Sequence, residues 1–405
     1  MTTADVHGIC APGFEGVREE FARCFTERGD IGAAVSATVD GETVVDLWGG
    51  TADAEGLRPW RRDTLVTVYS ATKGLTALCA HVLADRGALD LDAPVAAYWP
   101  EFAQEGKADI PVRWLLGHRA GLIAPREPLT VEEVHDWDRA CAAIAATRPW
   151  WEPGTAAGYH GMTFGFLVGE VVRRVSGQSL GTFLRTEIAQ PLGADLFIGT
   201  PASEHGRCAD MVGHPDLSRV ADAVPGAPRP PVTSMDVHPM APVVLALGHM
   251  PFGEVNSAAF RSAEIPATNA FATARGLAAV YGALANGTLV GEGALETLRT
   301  RQGAPGDPDL VLGDGGAWAL GFKLNEGGAG PNPRAFGHAG AGGSYAFADP
   351  ENRVSYAYTP NRYVNGGTDD DQRSDSLVRA LYAALGQRPR PRMPGGRRHR
   401  VAGIR

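Results

Sequence analysis

The sequence predicts a split α/β domain with a mainly helical lobe inserted into it. Strand-like runs lie near both chain ends, at 32–48 and 334–359. Helical periodicities fill the stretch between them. A length of 405 residues suffices for two lobes around a large core. The α/β lobe is expected from about 15–70 and 255–386, and the helical lobe from about 71–254, together one domain over 1–386. Residues 387–405 hold seven arginines, three prolines and no acid, and read as a disordered tail.

A short helical pattern spans 17–29. Gly32 to Val39 and Glu42 to Trp48 read as two strands joined at Asp40-Gly41, a strong hairpin signal. Leu65 to Tyr69 is a short β-rich run. Thr72 to Arg86 has helical apolar spacing and stops at Gly87, which suits a left-handed C-terminal cap. Further helical patterns cover 131–147, 163–176 and 269–286. The proline-rich stretch 212–253 has no period and reads as a long loop, a candidate lid or specificity element. Strand patterns return at 318–324, 334–338, 343–348 and 353–359, and 374–385 is a final amphipathic helix.

Composition excludes several classes. Apolar content of 44% and charged content of 20% suit a globular enzyme. No apolar run reaches the length of a membrane span, and Met1 to Gly16 has no signal-peptide pattern, so a cytoplasmic location is expected. Five scattered cysteines without a C-x-x-C pair suggest neither a disulfide framework nor zinc, and no metal or organic cofactor is expected. Net charge is −9; without the basic tail, 30 basic residues face 46 acidic ones, a balance of −16. The basic tail could touch an acidic partner or nucleic acid, but without interleaved aromatics or a folded basic face, specific binding of nucleic acid is not expected. Oligomeric state is not legible.

Chemistry concentrates at Ser70-Ala71-Thr72-Lys73. Residues three apart share a helix face. A neutral lysine there can take the serine proton, which requires a site that lowers its pKa. The chain has only three lysines, Lys73, Lys107 and Lys323, against 34 arginines, and arginine could not serve as a base at this position. Other segments accompany this one: Leu115 to Leu122, Trp151-Glu152-Pro153-Gly154 with Tyr159-His160, and Gly337-His338-Ala339-Gly340-Ala341-Gly342-Gly343 between two strands. Glycines in the last allow a strand to run close beside a substrate. Trp151, with Trp150, could wall an apolar acyl pocket or pack in the core.

In order and spacing these segments resemble the serine β-lactamase and penicillin-binding-protein superfamily. The chain is more closely similar to the class C β-lactamase-related esterases, the family VIII carboxylesterases, from about residue 15 to 385. The resemblance implies a β-lactamase-like fold, an antiparallel sheet flanked by helices plus an inserted helical lobe. It implies Ser70, Lys73 and Tyr159 as the catalytic centre, with Tyr159 relaying a proton. A cationic Lys73 would lower the tyrosine pKa. It implies an oxyanion hole from the Ser70 and Ala341 N–H groups, with Gly340 and His338 beside the substrate. His118 falls in a structural segment of the family.

Two departures bear on substrate. Tyr159-His160-Gly161 replaces the usual Tyr-x-Asn, which puts His160 among the expected substrate-binding residues, and His338-Ala339-Gly340 replaces Lys-Thr-Gly. Losing both groups favours an uncharged ester over a β-lactam. The expected activity is hydrolysis of small esters of short or medium acyl chains through an acyl-Ser70 intermediate. An acyltransferase using the same intermediate is the alternative; a β-lactamase, a D-amino-acid peptidase or a non-catalytic binding protein is disfavoured. A nucleophile elbow is also disfavoured, because Gly342-Gly343-Ser344-Tyr345-Ala346 lacks its second glycine.

Overall fold

The computed structural model describes residues 5–213, 248–313, 317–325, 328–364 and 371–386. The expected loop over 212–253 falls mostly, and the arginine-rich tail wholly, outside the described residues.

Among the described residues, ten strands form two antiparallel sheets. They are β1 (Val6–Cys10), β2 (Gly32–Val39), β3 (Glu42–Gly50), β4 (Val66–Thr67), β5 (Leu196–Phe197), β6 (Phe271–Ala272), β7 (Lys323–Leu324), β8 (Phe336–Ala339), β9 (Tyr345–Asp349) and β10 (Val354–Pro360). The large sheet runs β1-β3-β2-β10-β9-β8-β7, and the small one β4-β6-β5. Chain ends meet in the large sheet, where β10 pairs with β2 from Val354–Val39 to Pro360–Ala33. Asp40 and Gly41 both take positive φ, 54° and 84°, as the predicted hairpin turn requires.

Five longer helices are α1 (Glu15–Thr26), α2 (Thr72–Asp85), α3 (Thr163–Ser176), α4 (Ala274–Ala285) and α5 (Gln372–Gly386). Helices α1 and α5 cover one sheet face, packing Phe21, Leu377 and Leu381 against Val35, Val45 and Tyr356. Each such buried side chain contributes roughly 1.5–3 kcal/mol. On the other face, small residues let α4 approach closely: Ser355 Oγ donates to the Ala278 carbonyl at 2.7 Å and pairs with Thr38 Oγ. Both faces of β2 are therefore buried, which is why it reads as a continuous run rather than an alternation. Helix α2 is enclosed almost all round, from Thr72 to Leu83, at the centre of the larger core.

Several expectations need correction. The pattern at 131–147 is two helices, because Asp136 is extended (ψ 107°) and caps the second by accepting the Arg139 N–H. Residues 269–286 split into β6 and α4, with Thr273 accepting the Gly276 N–H as cap. Only Lys323–Leu324 of 318–324 forms a strand, since Gly321 (φ 90°) turns the chain before it. The edge strand β1 was not anticipated; it is only five residues long and has Gly8 at its centre, a residue poor in strand signal. Among the described residues no helix is long and apolar enough to cross a membrane.

Candidate active site

Ser70 lies in a 3-10 turn, Tyr69–Ala71, that runs directly into α2. A neighbouring segment fixes this turn. The Val68 N–H donates to the Ala270 carbonyl at 2.9 Å, the Ala270 N–H to Thr72 Oγ1 at 2.9 Å, and Thr76 Oγ1 to the Pro266 carbonyl at 2.6 Å. Asn269, fully buried, braces that segment with bonds to Ile265, Phe260 and Ala263. Gly165 on α3 permits the approach from behind: a Cβ there would collide with the main chain of Pro266 and Ala267.

The result is a three-residue contact. Lys73 Nζ is 3.1 Å from Ser70 Oγ and donates to the Ala267 carbonyl at 2.8 Å. Tyr159 donates its hydroxyl to the same Ser70 Oγ at 2.7 Å. Lys73 Nζ also sits 4.7 Å from the centre of the Tyr159 ring. Lys73 is 0% exposed, and burial holds its pKa well below the ordinary lysine value. Burial raises the Tyr159 pKa. That reverses the expected direction, because a lysine that is itself driven towards neutrality supplies little positive charge to stabilise a phenolate.

Tyr159 is delivered by a buried polar cluster that sequence reading did not find. Its main-chain N–H donates to Asp309 Oδ1 at 3.0 Å, and its ring lies parallel to that of Trp318, with centroids 5.3 Å apart. The Gly158 N–H donates to the His118 carbonyl and the His160 N–H to His118 Nδ1. Asp309 is 150 positions from Tyr159 in an irregular segment, so no periodicity or local spacing links the two.

The remaining expected site residues are placed as follows. His160 is fully buried; its Nε2 accepts the Leu122 N–H at 3.0 Å and its Nδ1 donates to the Gly158 carbonyl at 2.6 Å. Both ring nitrogens are thus committed to the main chain, and the structure does not bring His160 forward to meet a substrate. Trp151 is partly buried, donates its indole N–H to the Ala156 carbonyl at 3.2 Å, and joins Ile123, Ala124, Trp150, Tyr159 and Val311 in an apolar group. His338 packs near Tyr159 and Trp318, its Nδ1 donating to the Ala339 carbonyl at 2.7 Å. Gly340 abuts the turn that carries Ser70: its N–H donates to the Ser344 carbonyl, Ser344 Oγ donates to the Val68 carbonyl at 2.7 Å, and a Cβ on Gly340 would overlap that carbonyl. Ala341 follows in a short turn, Ala341–Gly343. Among the described residues, neither the Ser70 nor the Ala341 main-chain N–H meets an acceptor.

Burial holds the buried imidazoles neutral, with pKa lowered to about 4 in His81 and His160 and to about 3 in His338, from 6.5. As pH falls below 6.5 the unfolded chain takes up these protons and the folded chain does not, so stability is lost through that window. Urea unfolding at pH 5 should give a stability lower than at pH 7 by at least about 2 kcal/mol, the value for one such histidine. Equal stabilities at the two pH values would contradict this picture of the site.

Residues 21–380 match the Beta-lactamase family model. The chain is 36% identical over 381 residues to Esterase/beta-lactamase LipL of Mycobacterium tuberculosis, spanning 89% of this chain and 84% of LipL. It superposes on the crystal structure of a family VIII carboxylesterase with a TM-score of 0.83 at 40% identity, over 94% of this chain and all of that one. A penicillin-binding-protein homologue from Caulobacter crescentus gives 0.83 at 39% identity, again over 94% of this chain and all of that one. The resemblance carried by the ordered segments is borne out, and so is the antiparallel-sheet fold.

Proposed function

The chain belongs to the β-lactamase family, and from that premise we propose that it hydrolyses carboxylic esters of short or medium acyl chains through a covalent acyl-Ser70 intermediate. The observation that carries this reading is the pair of contacts on one oxygen: Ser70 Oγ has Lys73 Nζ at 3.1 Å and the Tyr159 hydroxyl at 2.7 Å. Esterase names among the relatives support it.

In this mechanism neutral Lys73 takes the proton of Ser70 as Oγ attacks the ester carbonyl. The Oγ–carbonyl bond forms and the carbonyl π electrons move onto oxygen. The main-chain N–H groups of Ser70 and Ala341 face that oxyanion; two such donors contribute several kcal/mol in a water-poor site. Collapse breaks the bond to the alcohol oxygen, which takes a proton from Lys73 through the Tyr159 hydroxyl. Water then repeats the sequence against the acyl-enzyme, and Ser70 is regenerated.

Two features narrow the substrate. His338 stands where a β-lactam-binding relative would carry lysine, and burial keeps it neutral, so a substrate carboxylate meets no positive charge at that position. Trp150, Trp151, Ile123 and Val311 offer an apolar wall beside Tyr159, suited to an unbranched acyl chain. Nitrophenyl esters from acetate to octanoate should be turned over with kcat/KM well above that of a carboxylate-bearing β-lactam. Turnover of the lactam but not the esters would contradict the reading. Adding alcohols or amines to the ester assay reports whether water or another acceptor receives the acyl group.

A further inference from the structure

We propose that Asp309 is a positioning residue for the hydroxyl of Tyr159, acting on Ser70 chemistry through that phenol. The proposal rests on the reading of Ser70 and Tyr159 given above. Asp309 is 1% exposed and, among the described residues, has no ion-pair partner. A buried carboxylate without a counter-charge is costly unless it is fully hydrogen-bonded. Here Oδ1 accepts the main-chain N–H groups of Tyr159 at 3.0 Å, Val311 at 2.8 Å and Leu312 at 2.9 Å, and Oδ2 accepts the Trp318 indole N–H at 2.8 Å.

These bonds converge on one ring. The first fixes the main chain that carries the phenol. The last fixes the indole that lies parallel to it, with planes 10° apart. The Leu310 N–H adds a bond to the Ala157 carbonyl at 2.9 Å, two residues before Tyr159. With both its backbone and its ring face held, the phenol has little freedom except to point at Ser70 Oγ. The negative charge of Asp309 also disfavours the phenolate, so Tyr159 stays a proton donor.

Asp309→Asn is the informative change. An amide cannot accept on both sides: its NH₂ must face either the indole N–H or the three main-chain N–H groups. The bracing is weakened while shape is kept. The experiment measures the acylation rate constant with ethyl butyrate, an alkyl ester whose leaving oxygen needs the proton relayed by Tyr159, in wild type, Asp309→Asn, Tyr159→Phe and the double variant, with thermal unfolding recorded for each. Asp309→Asn should slow acylation about 10- to 100-fold with KM little changed. In the Tyr159→Phe background the same change should cost less than about threefold, because the group it positions is gone.

Equal slowing in both backgrounds, or wild-type acylation by Asp309→Asn, overturns the role of Asp309 alone. Wild-type acylation by Tyr159→Phe overturns the catalytic reading of Tyr159 and the proposal with it. Should Asp309→Asn fail to fold, Trp318→Phe keeps an aromatic ring against Tyr159 but removes the indole donor. It should show the same dependence on background, and a loss independent of Tyr159 would overturn the proposal.

Discussion

Ser70→Ala is expected to lower turnover of p-nitrophenyl butyrate by about 10⁴- to 10⁶-fold, the range for removing an enzyme's nucleophile. The substitution deletes the oxygen on which Lys73 and Tyr159 converge and nothing else in the site. Lys73 keeps its bond to the Ala267 carbonyl. Ser70 is only partly buried, and the Tyr159 hydroxyl loses one acceptor, a cost of about 1–3 kcal/mol if water does not replace it. Circular dichroism and the unfolding transition should therefore remain close to wild type while activity is lost. Near-normal turnover by a folded Ser70→Ala protein would refute the mechanism.

Lys73→Arg should be almost as damaging, with kcat reduced about 10²- to 10⁴-fold, the usual contribution of a positioned base. Arginine keeps a positive charge and a donor for the Ala267 carbonyl, so an electrostatic role would survive the change. It cannot give up its proton in a protein, so a base role would not. Its planar head is also larger than the pocket of a side chain that is 0% exposed, and some loss of stability is expected. Lys73→Met controls for this by keeping an unbranched stem without charge. Similar losses in both variants, per folded molecule, identify proton acceptance as the function. Substantial activity in Lys73→Arg would contradict it.

Legibility in the sequence followed how local the determinant was. The hairpin at Asp40-Gly41, helix α3 at 163–176 and the Ser70–Lys73 pair depend on residues within a turn or two of each other, and each appears where it was expected. Helix α4 was overextended because Phe271 and Ala272 continue an apolar run. What makes them a strand is pairing with β4 and β5, distant in sequence. The break at Asp136 was missed because a cap and an interior polar residue look alike without ψ. At the site, the resemblance supplied Tyr159, whereas Asp309 and Trp318 carry no motif. His160 was expected to face the substrate because of its neighbour in sequence. Its ring nitrogens are instead held by Leu122 and Gly158, contacts made by the folded loop and invisible in one dimension.

The proposed mechanism turns on the acyl-Ser70 intermediate. It is tested most directly by mixing the protein with p-nitrophenyl butyrate, quenching in acid within the first turnovers, and locating the adduct by intact-mass and peptide mass spectrometry. A single butyryl group is expected on the Ser70 peptide, forming with nitrophenol release and absent from Ser70→Ala. Nitrophenol release with the butyryl group on another residue, or release that continues undiminished in Ser70→Ala, would contradict it.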